Sequence, residues 1–249
     1  LLGEFQSILP SEKALAAATL ALGAADLGPL SPQELVLARA AAHHRPPRET
    51  IAKIRDLIEK GRDPLGDAFC TLRTPEERRS QGATYTPIPI VSTMVKWASG
   101  HPAPDRIIDP GVGSARFLGL AAKAFPNAQL VGIDVDPLAT LMARANLMVG
   151  GHRDRARIVL GDFRRFSETI DGRTLYIGNP PYVRHHQIAP EWKDWLFTEA
   201  LKLGLSASKL AGLHVYFFLA TARRAKPKDY GVFITAAEWL DVNYGALVR

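Results

Sequence analysis

Residues 175–182 read Leu-Tyr-Ile-Gly-Asn-Pro-Pro-Tyr, a short apolar run ending in an amide, two prolines and a phenol. The prolines Pro180 and Pro181 lock the backbone, remove two N–H groups and leave carbonyl oxygens to accept. Asn179 adds a side-chain acceptor, and Tyr182 adds a flat apolar face with a hydroxyl. Acceptors set this way suit an amine conjugated to a ring, whose delocalised lone pair makes it a poor nucleophile. Accepting hydrogen bonds from both of its protons favours a pyramidal nitrogen with the lone pair aimed outward. The competing reading is a turn without chemistry. The position of these residues, directly after a strand-like run, weighs against it.

A second constellation runs Ile107-Ile108-Asp109-Pro110-Gly111-Val112-Gly113-Ser114-Ala115-Arg116-Phe117. A strand ends in a carboxylate, a glycine turn follows, and a helix begins. Glycines admit close approach of a ligand to the backbone, and a helix N-terminus offers free N–H groups. A dinucleotide fingerprint wants a third glycine where Arg116 stands, so NAD is disfavoured. Asp134 closes the next apolar run, about 20 positions past Gly113, the spacing at which an acid reaches the two hydroxyls of a ribose. Gly161-Asp162-Phe163 closes a third run in the same way. There a carboxylate would accept from an adenine amino group while the phenyl ring covers its face, although a simple turn explains that piece equally well.

Strands and helices must hold these residues. Arg106–Asp109, Gln129–Asp134, Ala156–Leu160, Thr174–Gly178 and Tyr230–Thr235 read as strands, separated by helices near 114–124, 137–149, 190–202 and 208–225. Such alternation predicts a doubly wound α/β fold with a mainly parallel sheet. The first eighty residues read as helical instead. Ser11 opens an Ala/Leu-rich helix to about Ala25, and Ser31-Pro32-Gln33-Glu34 gives an N-cap, a proline and a capping-box glutamate. That helix should end near His43-His44, and a third carries Ile51, Ile54, Leu57 and Ile58 on one face with Gly61 past its end. Thr74-Pro75-Glu76-Glu77 repeats the start signal. The expected division is a helical subdomain over 1–80 and a catalytic domain over 81–249. The chain stops soon after its fifth strand, which reads as truncation of that domain at its C-terminus.

Composition narrows the classes. Hydrophobic residues are 47% and charged residues 22% of 249, which suits a globular domain. The apolar run from Leu213 falls far short of the ~20 residues a membrane span needs. Cys70 is the single cysteine, which excludes a disulfide framework or a cysteine-rich zinc site and fits a reducing cytoplasm. A net charge of +6 permits a polyanionic partner without requiring one. His43 and His44 read as solvated, and no metal site is expected. Arg184, His185 and His186 suit a phosphate or an exposed basic loop alike. Trp192, Trp195, Tyr216, Phe217 and Phe218 read as core.

The order of Asp109-Pro110-Gly111-Val112-Gly113-Ser114, Asp134, Gly161-Asp162-Phe163 and Asn179-Pro180-Pro181-Tyr182 resembles class I S-adenosylmethionine-dependent methyltransferases. Gly82-Ala83-Thr84-Tyr85-Thr86-Pro87 is similar to the Tyr-Thr-Pro segment of amino-methylating DNA methyltransferases. Together these motifs, over residues 81–249, resemble the adenine-specific DNA methylases of restriction–modification and related phage-defence systems. The resemblance implies a Rossmann-like core, a cytoplasmic location and transfer of a methyl group from S-adenosylmethionine to the N6 amino group of a flipped-out adenine. It implies that Tyr85, Thr86 and Pro87 touch the methionine end of the cofactor. Asp109, Gly111 and Gly113 would line its middle, Asp134 would hold the ribose, Asp162 and Phe163 the adenine, with Asn179 at the reacting end. Asn179, Pro180, Pro181 and Tyr182 would be catalytic. DNA is the implied partner, with a restriction or specificity subunit or domain outside this chain. Where the family usually has glycine, this chain has Ala115. The alternatives are methylation of a protein glutamine or RNA base, and a non-catalytic cofactor-binding subunit that recognises DNA.

Overall fold

The apolar runs become five strands of one sheet: β1 (Arg106–Asp109), β2 (Gln129–Asp134), β3 (Ala156–Leu160), β4 (Thr174–Gly178) and β5 (Tyr230–Phe233). They lie in the order β3-β2-β1-β4-β5, and every neighbouring pair is parallel. The computed structural model describes residues 9–74, 76–77, 85–168 and 171–235. Expectations resting on Gly82, Ala83, Thr84 and Pro75 fall outside those residues. The first four strands match the sequence reading; the fifth ends at Phe233 rather than Thr235.

The helices are α1 (Glu12–Ala21), α2 (Pro32–Ala41), α3 (Arg48–Glu59), α4 (Pro64–Leu72), α5 (Ile88–Ala98), α6 (Arg116–Ala124), α7 (Pro137–Val149), α8 (Pro190–Lys202) and α9 (Leu213–Ala222). Alternate strand residues face opposite layers, as the two-residue repeat of a strand demands. Ile107, Leu130, Leu175 and Ile177 pack with Val91 and Val95 of α5 and Leu118 and Ala121 of α6. Ile108, Val131, Ile133 and Tyr176 pack with Phe217 and Ala220 of α9. Strand order reverses between β1 and β4, so the loops after these two strands part to leave a crevice.

The N-terminal helices pack on the sheet's own helical layer. Leu15, Leu22, Ile54, Leu65 and Phe69 share a core with Leu138, Leu141, Met142 and Ala145 of α7. The capping box at Ser31 and Glu34 forms as its sequence predicts. Glu34 also ties α2 to α7. Its other oxygen accepts from Arg144 Nε at 2.9 Å, with both side chains buried. Arg144 also donates to the carbonyls of Gly28, Pro29 and Ile158. Helix α1 ends at Ala21, before a 3-10 turn over Ala24–Leu27. Two other boundaries differ from the periodicity. Helix α6 begins at Arg116 because Ala115 sits in a left-handed conformation, φ 70°. Helix α9 begins at Leu213 because the Leu213 N–H, which a helix from 208 would send to the Lys209 carbonyl, donates to the Val183 carbonyl instead.

Candidate active site

The turn after β1 forms one wall of the crevice. Gly113 takes φ +52°, a conformation that favours glycine, and a Cβ there would stand 3.6 Å from the Tyr85 ring. Its N–H donates to Asp134 Oδ2 at 2.9 Å, so the glycine turn and the tip of β2 are joined directly. The other oxygen of Asp134 accepts from the Asp136 N–H at 3.0 Å. Burial pushes the Asp134 carboxyl up to about 6, against the pull of the backbone N–H groups of Asp136, Gly113 and Val135. Ala115, at the position where glycine is usual, has the left-handed backbone that explains the preference.

Asp109 lies beneath this turn. It is 0% exposed, its Oδ1 accepts from the Gly111 N–H at 3.3 Å, and its Oδ2 finds no partner among the described residues. Burial pushes its carboxyl up to about 8, the Gly111 N–H pulling it down and Asp134 adding repulsion.

Asn179 directly follows β4 on the opposite side. Its Nδ2 donates to the buried Thr86 Oγ1 at 3.1 Å, which fixes the amide plane from the segment before α5. Tyr85 packs tilted against Phe69, ring centres 5.4 Å apart, and lies under the Arg116 guanidinium at 5.2 Å; its buried hydroxyl has no partner among the described residues. Burial holds that hydroxyl well above the usual phenol range.

At the third strand end, Asp162 accepts from the Arg164 backbone N–H at 2.9 Å and pairs with its guanidinium, Nη2 to Oδ2 at 2.5 Å. That guanidinium rests 3.4 Å from the centre of the Trp192 ring. Phe163 is 1% exposed and packs on Phe166 and Phe217, so it serves as cleft floor rather than as an open face. Tyr216 and Phe217 are buried in the core as read from the sequence, whereas Trp192 and Trp195 are half-buried against it and Phe218 is half-buried with its ring edge-on to Phe233.

The result is a cleft of about 1010 Å³, its open mouth included. Tyr85, Thr86, Gly111, Gly113, Asp134, Asp162, Phe163, Asn179 and Pro181 line it. Pro87, Asp109, Pro180 and Tyr182 do not reach its wall. Pro87 instead caps α5, and Tyr182 donates its hydroxyl to the Ile234 carbonyl at 3.1 Å with its ring beside His214. Phe69, Arg116, Val135 and Arg164 also line the cleft, and the sequence patterns do not single them out as site residues. Val135 does carry a usable signal: it directly follows the ribose-spaced acid and is exposed at a strand tip.

A family model described as N-6 DNA Methylase matches residues 60–219. The chain belongs to the N-6 DNA methylase family. The match takes in every described residue lining the cleft. This N-6 DNA methylase chain is 50% identical over 188 residues to the Type II methyltransferase M.XamI of Xanthomonas campestris pv. amaranthicola, covering 75% of this chain and 34% of that protein. It thus spans about a third of that relative's length. Over 102 residues it is 34% identical to a tRNA1(Val) (adenine(37)-N6)-methyltransferase of Porphyromonas gingivalis, covering 38% of this chain and 40% of that one. Among solved structures, a type I restriction-modification system methyltransferase subunit from Streptococcus thermophilus superposes with a TM-score of 0.55 at 18% identity, over 84% of this chain and 46% of that chain. That likeness bears on the fold alone and agrees with the Rossmann-like sheet.

Proposed function

We propose that this chain is the catalytic core of an enzyme that methylates the N6 amino group of adenine in DNA, within a restriction–modification or phage-defence system. The observation that carries the reading is Asn179 at the end of β4, its amide tethered by Thr86, facing the glycine turn across the reversal of the sheet. The residues of the cleft fit S-adenosylmethionine. Asp134 offers a carboxylate at the tip of β2 for a ribose, the buried Tyr85 hydroxyl has capacity left for the methionine end, and Val135 offers an apolar contact for a base. When bound, the cofactor supplies an electrophilic methyl group on a sulfonium.

The chain's own residues then do positional work. Asn179 Oδ1 and the Pro180 carbonyl accept from the two amino protons of the target base and leave the nitrogen lone pair directed into the cleft. Pro181 walls that position. Tyr182 holds the segment against the exit of β5 through Ile234; its ring lies outside the cleft wall beside His214, and we assign it the face of a flipped base that enters past that wall. Such an arrangement gains rate by orienting the reactants and needs no covalent enzyme intermediate.

The test is transfer of labelled methyl from S-adenosylmethionine to three acceptors: unmethylated DNA, tRNA and a glutamine-bearing protein. Label recovered as N6-methyladenine in DNA is the expected result. Label confined to RNA or protein would overturn the reading, and cofactor binding without any transfer would favour a non-catalytic subunit.

A further inference from the structure

Asp63 belongs to none of the motifs above, yet its carboxylate is 8% exposed and takes four hydrogen bonds. One oxygen, Oδ1, caps α4 through the Gly66 N–H at 2.9 Å and also accepts from Asn146 Nδ2 at 3.0 Å. The other, Oδ2, accepts from Ser114 Oγ at 2.5 Å and from Arg116 Nε at 2.6 Å. Ser114 and Arg116 are cleft residues of the glycine turn. Arg116 reaches onward to the Thr86 carbonyl at 3.2 Å and to Asp67 at 2.6 Å. A helix cap uses one acceptor, and Asn or Ser serves as well as Asp. The second oxygen is therefore unexplained by capping.

Gly66 adds an independent observation. A methyl group there would overlap Asp63 Oδ2 and stand 2.6 Å from Ser114 Oγ. Glycine is a poor helix former, so its place in the first turn of α4 makes room for the contact between Asp63 and Ser114.

We infer that Asp63 is a positioning residue for the cofactor: through Ser114 and Arg116 it joins the glycine turn to the Thr86 segment. It thereby makes the N-terminal helices part of the cofactor site. The inference rests on the reading that the cleft holds S-adenosylmethionine. With Oδ2 gone, Arg116 keeps Asp67 as its acidic partner, and the two walls must be ordered at the expense of binding.

The test is calorimetric titration of S-adenosylhomocysteine, which needs no methyl transfer, into the whole chain carrying Asp63→Asn. Asparagine keeps the acceptor for Gly66 and replaces Oδ2 with a donor. The expected result is a dissociation constant raised about tenfold, the loss of one charge-assisted hydrogen bond. The ligand-free melting temperature should fall as well, because two buried donors lose their acceptor, but the folded variant should show a KM for S-adenosylmethionine that rises more than kcat falls. Gly66→Ala, which crowds the carboxylate and favours the helix, should weaken binding in the same direction and carries the test if Asp63→Asn does not fold. Wild-type affinity in the folded variant would overturn the inference alone. A wild-type chain that does not bind S-adenosylhomocysteine would overturn the underlying reading as well.

Discussion

At Asp134 a single half-buried carboxylate closes the glycine turn with one oxygen and the start of α7 with the other, and its partial removal from water raises its pKa to about 6. Only the ionised form accepts from both hydroxyls of a ribose. Cofactor affinity should therefore be highest above about pH 6 and fall as pH drops below it. Asp134→Asn should bind weakly with that dependence removed, as calorimetric titration across pH would reveal. The linked effect on the free protein has the opposite sense. Asp134 and Asp109 hold protons in the folded state that the unfolded chain releases above its ordinary value of 3.8. Their contribution to stability thus declines as pH rises from 3.8 to about 6 and about 8 respectively, and Asp109→Asn should flatten the upper part of the decline. The place of Asp134 is legible in the sequence because strand-end spacing is a short-range property. Arg116 reads there only as a missing glycine. Its partners Asp63, Asp67 and Thr86 lie 30 to 53 residues away, beyond the reach of any local pattern.

Among the elements, the pairing of α2 with α7 is the most exposed to a single change. Glu34 is 0% and Arg144 6% exposed on their side chains, so neither charge is screened by solvent. Glu34→Ala should cost about 3–5 kcal/mol, because it leaves the guanidinium buried without its carboxylate and removes half of a capping box. Urea unfolding of the two proteins would measure it; a loss below about 1 kcal/mol would mark the pair as no stronger than a surface ion pair. Four strands, the Ser-capped helices α1 and α2 and the uncapped α3 are legible in the sequence because their signals are local: apolar runs, Ser caps, an apolar stripe. Helices α4 and α5 are not. Asp63-Pro64 and Pro87 with Pro89 are start signals, but each opens a helix beside a stretch that looks like loop chemistry. At α9 the apolar pattern overruns the helix, because the Val183 carbonyl claims the Leu213 N–H that a longer helix would use.

At the scale of the whole molecule, the sheet's reversal opens the cleft in which the proposed methyl donor and acceptor base would meet, and a net charge of +6 would attract a phosphate backbone. That attraction carries no sequence information. Affinity of the chain for DNA should drop steeply as salt is raised, read from the slope of log K against log salt; tight binding indifferent to salt would contradict a charge-led encounter. No described helix is long and apolar enough to cross a membrane. The central claim is that Asn179 prepares an adenine amino group for transfer. Its most direct measurement is single-turnover methyl transfer to DNA at saturating S-adenosylmethionine, comparing wild type with Asn179→Ala and identifying the methylated base. The account predicts N6-methyladenine from the wild type and a rate lower by roughly 10²–10³-fold in the variant, with cofactor affinity little changed. Transfer by Asn179→Ala at the wild-type rate would contradict it.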